Sequence, residues 1–312
     1  MNQSDRIYVA GSETVVGKGL LRRLNLAGYS NVVDTSSVEP DLTDGASVNA
    51  YFEAMRPDYV FLAAGQSGGI RANQKYPADL MLNNLLIQCQ VIRSAQRHGA
   101  RKLLYAASSC SYPRSCPQPM QVRSLMTGPL EFTSEAYAIA KIAGIKLCQA
   151  YQQQYGTDMI SAIPGDVFGP GDDFGLEDSH VIAALICKMH QAKIFGAATV
   201  DVWGSGSPRR EFIFADDVAD AAIFLMQNYS SPTPINVGTG VDTTIRDIAE
   251  LIQKVVGYQG QLRFDAAKPD GMPLKALDSS ELMAMGWQPK VSLQRGLEET
   301  YRWFLDTTKD DV

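Results

Sequence analysis

Tyr137 and Lys141 stand four residues apart in Glu135-Ala136-Tyr137-Ala138-Ile139-Ala140-Lys141, and Ser108-Ser109-Cys110 precedes them. On a helix this spacing puts the phenol and the ammonium on one face, one turn from each other. A nearby ammonium favours the phenolate, and so is expected to lower the phenol pKa. A tyrosine tuned in this way can give or take a proton near neutral pH, which reduction of a carbonyl requires.

The surrounding sequence supplies elements to hold these groups. Arg6-Ile7-Tyr8-Val9-Ala10, Asn31-Val32-Val33, residues 58–64, residues 102–107 and residues 159–163 read as short apolar strands. A helix is expected from Val15 to Ala27, with Val16, Leu20, Leu21 and Leu24 on its apolar face. Pro77 opens another towards His98, in the first turn where a missing N–H does no harm. Strands apolar on both faces and alternating with helices predict an α/β fold: a Rossmann-type doubly wound parallel sheet covered on both sides. After about residue 165 the alternation loosens. Residues 1–165 are therefore read as a dinucleotide-binding domain, to which segments such as 216–240 return. Residues 166–312 are read as mainly a smaller C-terminal α/β substrate lobe, with a cleft between the two.

Composition narrows the function. The chain has 312 residues, 45% hydrophobic and 20% charged, with a net charge of −6 and no basic block to offset it. That balance argues against a nucleic-acid partner, and an anionic ligand would need cations gathered locally. Five cysteines match no zinc pattern, and no metal is expected. They read as free thiols of a reducing compartment. No apolar run reaches the length of a membrane span, and the first strand begins within six residues of the start. The expectation is a soluble, cytoplasmic protein.

Gly11-Ser12-Glu13-Thr14-Val15-Val16-Gly17 follows a strand and opens a helix, the context in which a glycine pattern signals dinucleotide binding. Gly11 and Gly17 permit the tight turn and the close approach of N–H groups to a pyrophosphate. Thr14, Val15, Val16, Ala63, Ala64 and Asp166 complete the expected cofactor-lining set, with Lys141 and His180. Asp34 lies about 20 residues beyond the loop, where a carboxylate accepts bonds from ribose hydroxyls and repels a 2′-phosphate. No Arg or Lys lies between residues 24 and 55. With Glu13, these residues favour NAD(H) over NADP(H) on physical grounds.

Longer strings carry a narrower resemblance. They are Gly68-Gly69-Ile70 with Tyr76-Pro77-Ala78-Asp79, Ser108-Ser109-Cys110-Ser111-Tyr112-Pro113, Glu135 to Gly144, and Ser179-His180-Val181-Ile182. Trp203-Gly204-Ser205-Gly206, Arg210-Glu211-Phe212, Asn236 to Gly240 and Lys268-Pro269-Asp270-Gly271 complete them. Together they resemble the GDP-L-fucose synthases, extended short-chain dehydrogenase/reductases that convert GDP-4-keto-6-deoxy-D-mannose to GDP-L-fucose. The resemblance covers nearly the whole chain. Tyr-x-x-x-Lys is shared by a superfamily, whereas the Ser-Ser-Cys string with Ser-His-Val-Ile is much narrower.

The resemblance implies roles. A 4-keto sugar has acidic protons on carbons 3 and 5, and inverting both needs a base and an acid on opposite faces. Cys110 and His180 match that pair. Ser108 and Tyr137 would hold the enolate oxygen, Tyr137 would protonate the reduced carbonyl, and Lys141 would assist it and bind the nicotinamide ribose. Ser109, Lys188, Trp203, Arg210, Asp270 and Lys275 match substrate positions, the cations suiting a diphosphate. The family's cofactor is NADP(H), and its members pair as homodimers through two long helices, here residues 77–98 and 135–154.

The chain departs from the family in a few places. Thr14 replaces a glycine, so its Cβ is expected to crowd the phosphates or shift the loop. Glu13 replaces an arginine, and Thr35 and Ser37 replace basic residues. Pro164-Gly165-Asp166-Val167-Phe168-Gly169-Pro170 stands where Pro-Thr-Asn-Leu-Tyr-Gly-Pro is usual. The leading reading is a bifunctional 3,5-epimerase and 4-reductase. Its rivals are an epimerase-only or reductase-only relative, or one acting on a 3,6-dideoxy or heptose GDP-4-keto sugar. A third is a non-catalytic nucleotide-sensing protein, against which the intact Ser108, Cys110, Tyr137, Lys141 and His180 argue.

Overall fold

Six parallel strands place the candidate site at one edge of a sheet. The computed structural model describes residues 1–33, 39–176 and 178–308. Asp34, Thr35 and Ser37, to which a cofactor preference was attached, lie outside the described residues. The strands are β1 (Ile7–Ala10), β2 (Val32–Val33), β3 (Tyr59–Leu62), β4 (Lys102–Ala106), β5 (Asp158–Pro164), β6 (Asp166–Phe168), β7 (Thr199–Trp203), β8 (Arg209–Arg210), β9 (Phe212–Phe214), β10 (Ile235–Val237), β11 (Thr243–Thr244), β12 (Gln261–Asp265) and β13 (Leu274–Lys275). The helices are α1 (Val15–Leu26), α2 (Gly45–Met55), α3 (Ile70–Lys75), α4 (Pro77–Arg97), α5 (Glu135–Tyr155), α6 (Val181–Ile194), α7 (Ala215–Asn228), α8 (Ile245–Val256), α9 (Ser280–Ala284) and α10 (Leu293–Thr307).

The main sheet runs β10-β5-β4-β3-β1-β2, with every pairing parallel. Successive residues of a strand face opposite sides, and here both sides are apolar. Ile7, Val9, Phe61 and Leu104 join Leu20 and Leu24 of α1 and Val218 and Leu225 of α7. Tyr8, Val60, Leu62, Leu103 and Tyr105 join Phe52 of α2, Ile92 of α4 and Ile145 of α5. This is the doubly wound fold that the apolar runs predicted. The chain leaves β1 towards β2 and returns to β3 on its other side. Such a reversal opens a crevice at the carboxyl ends of the strands. Gly11, Ala63 and Ser108 follow β1, β3 and β4 at that edge.

Short strand pairs build the rest: β6 with β9, β7 with β12, and β8 between β11 and β13. They share a third core, including Phe168, Ile186, Val202, Phe212, Ile248 and Leu297. Asp166–Phe168 is thus a strand, although it lies in a stretch rich in Gly and Asp.

The helix that carries Tyr137 and Lys141 is held unusually close to β4. Gly144 of α5 faces Tyr105, and a Cβ there would fall 2.5 Å from the ring Cζ and 2.6 Å from Gln88 Oε1. Tyr105 donates to Gln88 Oε1 (2.8 Å), and Gln88 Nε2 donates to the Ala140 carbonyl (2.8 Å). Gly144→Ala should therefore cost about 1–3 kcal/mol of stability through overpacking. A urea midpoint within error of the wild type would show that α5 is free to slide.

Candidate active site

The glycine loop is built for close approach. Gly11 has φ +85°, and a Cβ on it would fall 2.4 Å from the Ala64 backbone at the end of β3. Gly17 turns the same loop back, its missing Cβ facing the Gly11 carbonyl at 2.0 Å. Thr14 caps α1: its Oγ1 accepts from the Gly17 N–H (3.0 Å) and donates to the Gly11 carbonyl (2.8 Å). The threonine side chain is thus turned inward onto its own loop. The hydroxyl thereby satisfies helix-terminal groups that a glycine would leave open.

Val15 and Val16 follow in the first helical turn, where N–H groups precede the helical ladder. The loop fits a pyrophosphate: it offers these N–H groups and the positive end of a helix dipole beside side chains that glycine keeps out of the way. Glu39 braces it from outside, accepting from the Gly11 N–H (2.7 Å) and from Tyr8 (3.2 Å), and burial raises its pKa. Nothing in the sequence singled out Glu39. Glu13 reaches Lys18 at 3.4 Å on the exposed surface.

The candidate reacting groups converge after β4. Ser108 Oγ accepts from the Cys110 N–H (3.2 Å), which starts the short helical turn Ser109–Ser111, and Ser108 stands beside Tyr137. Ser109 is buried beneath the turn. Lys141 is 5% exposed, and its Nζ donates to the Ala106 carbonyl at 3.1 Å. Its ammonium lies 5.8 Å from the Tyr137 ring centroid.

The sign of the Tyr137 shift reverses the expectation from spacing. Burial pushes its phenol well above the ordinary range, Cys110 adds to this, and the Ser108 bond opposes it. Burial also pulls Lys141 down to about 8, with the Cys110 thiol opposing. Desolvation is the largest cause of the shift, and Lys141 Nζ is turned to the Ala106 carbonyl. Tyr137 is therefore held as a neutral proton donor.

A second set comes from the short strands. Lys275 Nζ lies 4.0 Å from Cys110 Sγ and is ion-paired to Asp166. Burial disfavours the Lys275 charge, but Asp166 and Cys110 outweigh it and raise the pKa. Arg210 Nε lies 3.9 Å from Asp166, and its guanidinium donates to the Asp270 carbonyl at 3.4 Å. Asp270 itself accepts from the N–H (2.7 Å) and hydroxyl (2.9 Å) of Ser205. One chain of contacts thus runs from Cys110 to Asp270. Lys188 and Trp203 form a separate pair at 5.7 Å, and Lys268 approaches the same ring at 5.3 Å. Trp203 is 39% exposed, so it is an open face and not a core residue. Burial lowers the Lys188 pKa, with Asp201 opposing.

His180 stands at the start of α6, its Nε2 3.2 Å from Ser67 Oγ in the loop after β3. Asp172 is half-buried near it, with one buried carboxylate oxygen lacking a partner among the described residues. Neither Ser67 nor Asp172 was evident from the sequence, since each becomes a neighbour only through folding. Among the described residues there is no cluster of His, Cys, Asp and Glu that could hold a metal ion, and no helix is long and apolar enough to cross a membrane.

A glycine loop at a sheet switch point, with Ser, Tyr and Lys around the end of β4, defines a dinucleotide-binding enzyme of the short-chain dehydrogenase/reductase kind. Residues 7–238 match the NAD dependent epimerase/dehydratase family. The probable GDP-L-fucose synthase 1 of Oryza sativa subsp. japonica is 51% identical, over 98% of this chain and 93% of that one. The GDP-L-fucose synthase of Escherichia coli K12 is 46% identical, over 96% and 97%. A solved GDP-mannoheptose C4 reductase of Campylobacter jejuni, with NADP bound, superposes with TM-score 0.89 at 33% identity, covering 98% of this chain and 99% of that one. The chain belongs to the NAD dependent epimerase/dehydratase family and, within it, to the GDP-L-fucose synthases.

Proposed function

We propose that this protein is an NADP(H)-dependent 3,5-epimerase and 4-reductase that converts GDP-4-keto-6-deoxy-D-mannose to GDP-L-fucose. The observation that carries the reading is that Ser108 Oγ holds the Cys110 N–H at 3.2 Å while standing beside Tyr137. A base for carbon acids and a donor for a carbonyl oxygen are thereby fixed around one point. The near full-length similarity to two GDP-L-fucose synthases supports the substrate.

Cys110 takes the proton from carbon 3 or carbon 5, and His180 returns one to the opposite face. Ser108 and the neutral Tyr137 donate to the enolate oxygen as its charge develops. Gly11, Thr14, Val15, Val16 and Gly17 would hold NADPH, which would supply the hydride for carbon 4, and Tyr137 gives its proton to the carbon 4 oxygen. Lys141 supports that transfer as a cation. Lys188, Arg210 and Lys275 hold the GDP diphosphate and sugar, and Trp203, Asp270 and Ser109 bound the same region. The NADP bound in the Campylobacter reductase supports NADP(H); Asp34 and Glu13 support NAD(H). A second reading, another GDP-4-keto sugar such as a heptose, is favoured by Gly165-Asp166 beside the sugar-binding cations and by the similarity to the mannoheptose reductase.

The deciding assay follows oxidation of NADPH and NADH with GDP-4-keto-6-deoxy-D-mannose, with the product read by NMR. GDP-L-fucose, made faster with NADPH, is expected. Faster oxidation of NADH would hand cofactor choice to Asp34, and a GDP-4-keto heptose turned over in preference would establish the second reading. Cys110→Ser should block epimerisation while leaving direct reduction of the ketone. Tyr137→Phe should lower reduction about 10²–10⁴-fold with cofactor binding kept.

Reduction should also fall as pH rises through about 8, because Lys141 is cationic only below that value. Lys141→Arg should move this alkaline limb upward, and an unmoved limb would assign it to another group.

A homodimer through α4 and α5 in the cytoplasm belongs to the same reading. Leu82, Ile139 and Tyr155 are exposed on these helices. Light scattering should give twice the 34.0 kDa chain mass, and a single-chain mass would remove the dimer.

A further inference from the structure

Gly165 and Asp166 stand where the resembling family has Thr and Asn, and the two departures work as one. A Cβ on residue 165 would fall 2.9 Å from the Glu211 carbonyl. Glycine therefore lets β6 lie against β9, where Asp166 donates its N–H to the same carbonyl at 2.9 Å. Glu211 in turn donates its N–H to the Lys275 carbonyl at 3.1 Å, and Lys275 pairs in register with Arg210. Three short strands thus bring the Asp166 carboxylate onto the ammonium of Lys275, with Arg210 at 3.9 Å on the other carboxylate oxygen.

The Lys275 side chain is only 11% exposed. A lysine so placed tends to lose its proton unless a fixed anion holds it. An asparagine could bond to the ammonium but would not carry that charge.

We propose that Asp166 is a positioning residue for proton abstraction: it clamps Lys275 as a cation 4.0 Å from Cys110 Sγ, where the ammonium stabilises the thiolate. The proposal rests on the reading of Cys110 as the base. In that step the thiolate takes a proton from the carbon beside the carbonyl and becomes a thiol, leaving the enolate.

Other charges face the same sulfur. Lys141 and Tyr137 approach from α5, and Arg210 stands behind Lys275 on β8. Lys141 is committed to the Ala106 carbonyl, and burial keeps Tyr137 neutral. Lys275 is the cation within 4.0 Å of the thiol, and Asp166 keeps it there.

The test needs no sugar. Iodoacetamide forms an S–C bond with a thiolate and expels iodide, so its rate against pH reports thiolate content. Peptide mass mapping separates Cys110 from Cys89, Cys116, Cys148 and Cys187. Lys275→Met should raise the pH midpoint of Cys110 alkylation by about one unit and slow alkylation at pH 7 about tenfold. Asp166→Asn should slow it about threefold, and Lys275→Arg should restore most of the rate. The double variant Asp166→Asn/Lys275→Met also removes the carboxylate that Lys275→Met leaves facing Arg210, and should still alkylate more slowly than the wild type. Deuterium uptake from solvent at carbons 3 and 5 should slow in parallel through kcat, with KM for the GDP-sugar little changed in Asp166→Asn.

An alkylation profile identical to the wild type in the folded Asp166→Asn and double variants would overturn the clamp. A shifted profile in a protein that exchanges no sugar proton would instead uphold the clamp and overturn the reading of the substrate.

Discussion

The contact on which the site depends is the one between α5 and β4. Tyr105 on β4 and Gln88 on α4 form a buried hydrogen-bonded pair, and Gln88 reaches across to the Ala140 carbonyl. Gly144 lets the helix settle onto the Tyr105 ring. These contacts fix the height and rotation of α5, and with them the positions of Tyr137 and Lys141 relative to Ser108 and Cys110 at the end of β4. The polar atoms of Tyr105 and Gln88 are paired inside an apolar core, so sliding the helix would break bonds that water cannot replace. A reacting group misplaced by 1 Å is costly to rate, and the network supplies that precision from residues that touch no substrate.

Parallel pairing does the rest of the assembly. All strands of the main sheet end at one edge, so Gly11, Ala63, Ser108 and Gly165 come together from points far apart in the chain. The short strands then deliver Arg210 and Lys275 to the same edge from another direction. Burial at this convergence controls the charges. It keeps Tyr137 neutral, draws Lys141 down to about 8, and disfavours the Lys275 charge, which Asp166 and Cys110 restore. A chain of net charge −6 thus offers an anionic substrate a local group of cations.

Much of this was legible from the residues, and what was not has a physical cause. The apolar runs of β1, β3, β4 and β5 were plain because a strand buried on both faces has no polar alternation to obscure it. The glycine loop was plain from its place between a strand and a helix. The β6–β9 and β8–β13 pairs were not, because two- and three-residue strands carry no period and are defined only by partners far along the chain. Spacing placed Tyr137 and Lys141 on one face but gave the wrong sign to the Tyr137 shift. Periodicity reports neighbours along the helix, whereas desolvation and the Ala106 carbonyl come from other elements. The capping role of Thr14 was likewise not legible, because its side chain folds back onto its own loop.

The division of labour between these regions bears on how such a scaffold changes substrate without losing its chemistry. Ser108, Cys110, Tyr137 and Lys141 all sit on β4, its following turn and α5, braced by a core of high apolar content. Arg210, Asp270, Trp203 and Lys275 sit on strands of two to five residues and on the loops between them. Those strands are held by few bonds each, so a change such as Thr to Gly can shift one against its neighbour without disturbing the main sheet. Cys110 belongs to the chemical region by sequence and to the substrate region by contact, through Lys275. With Cys110 as the proposed base, the epimerising half of the reaction is the half most open to modification from the substrate side, while the proposed reducing groups are insulated by the packing of α5 on β4.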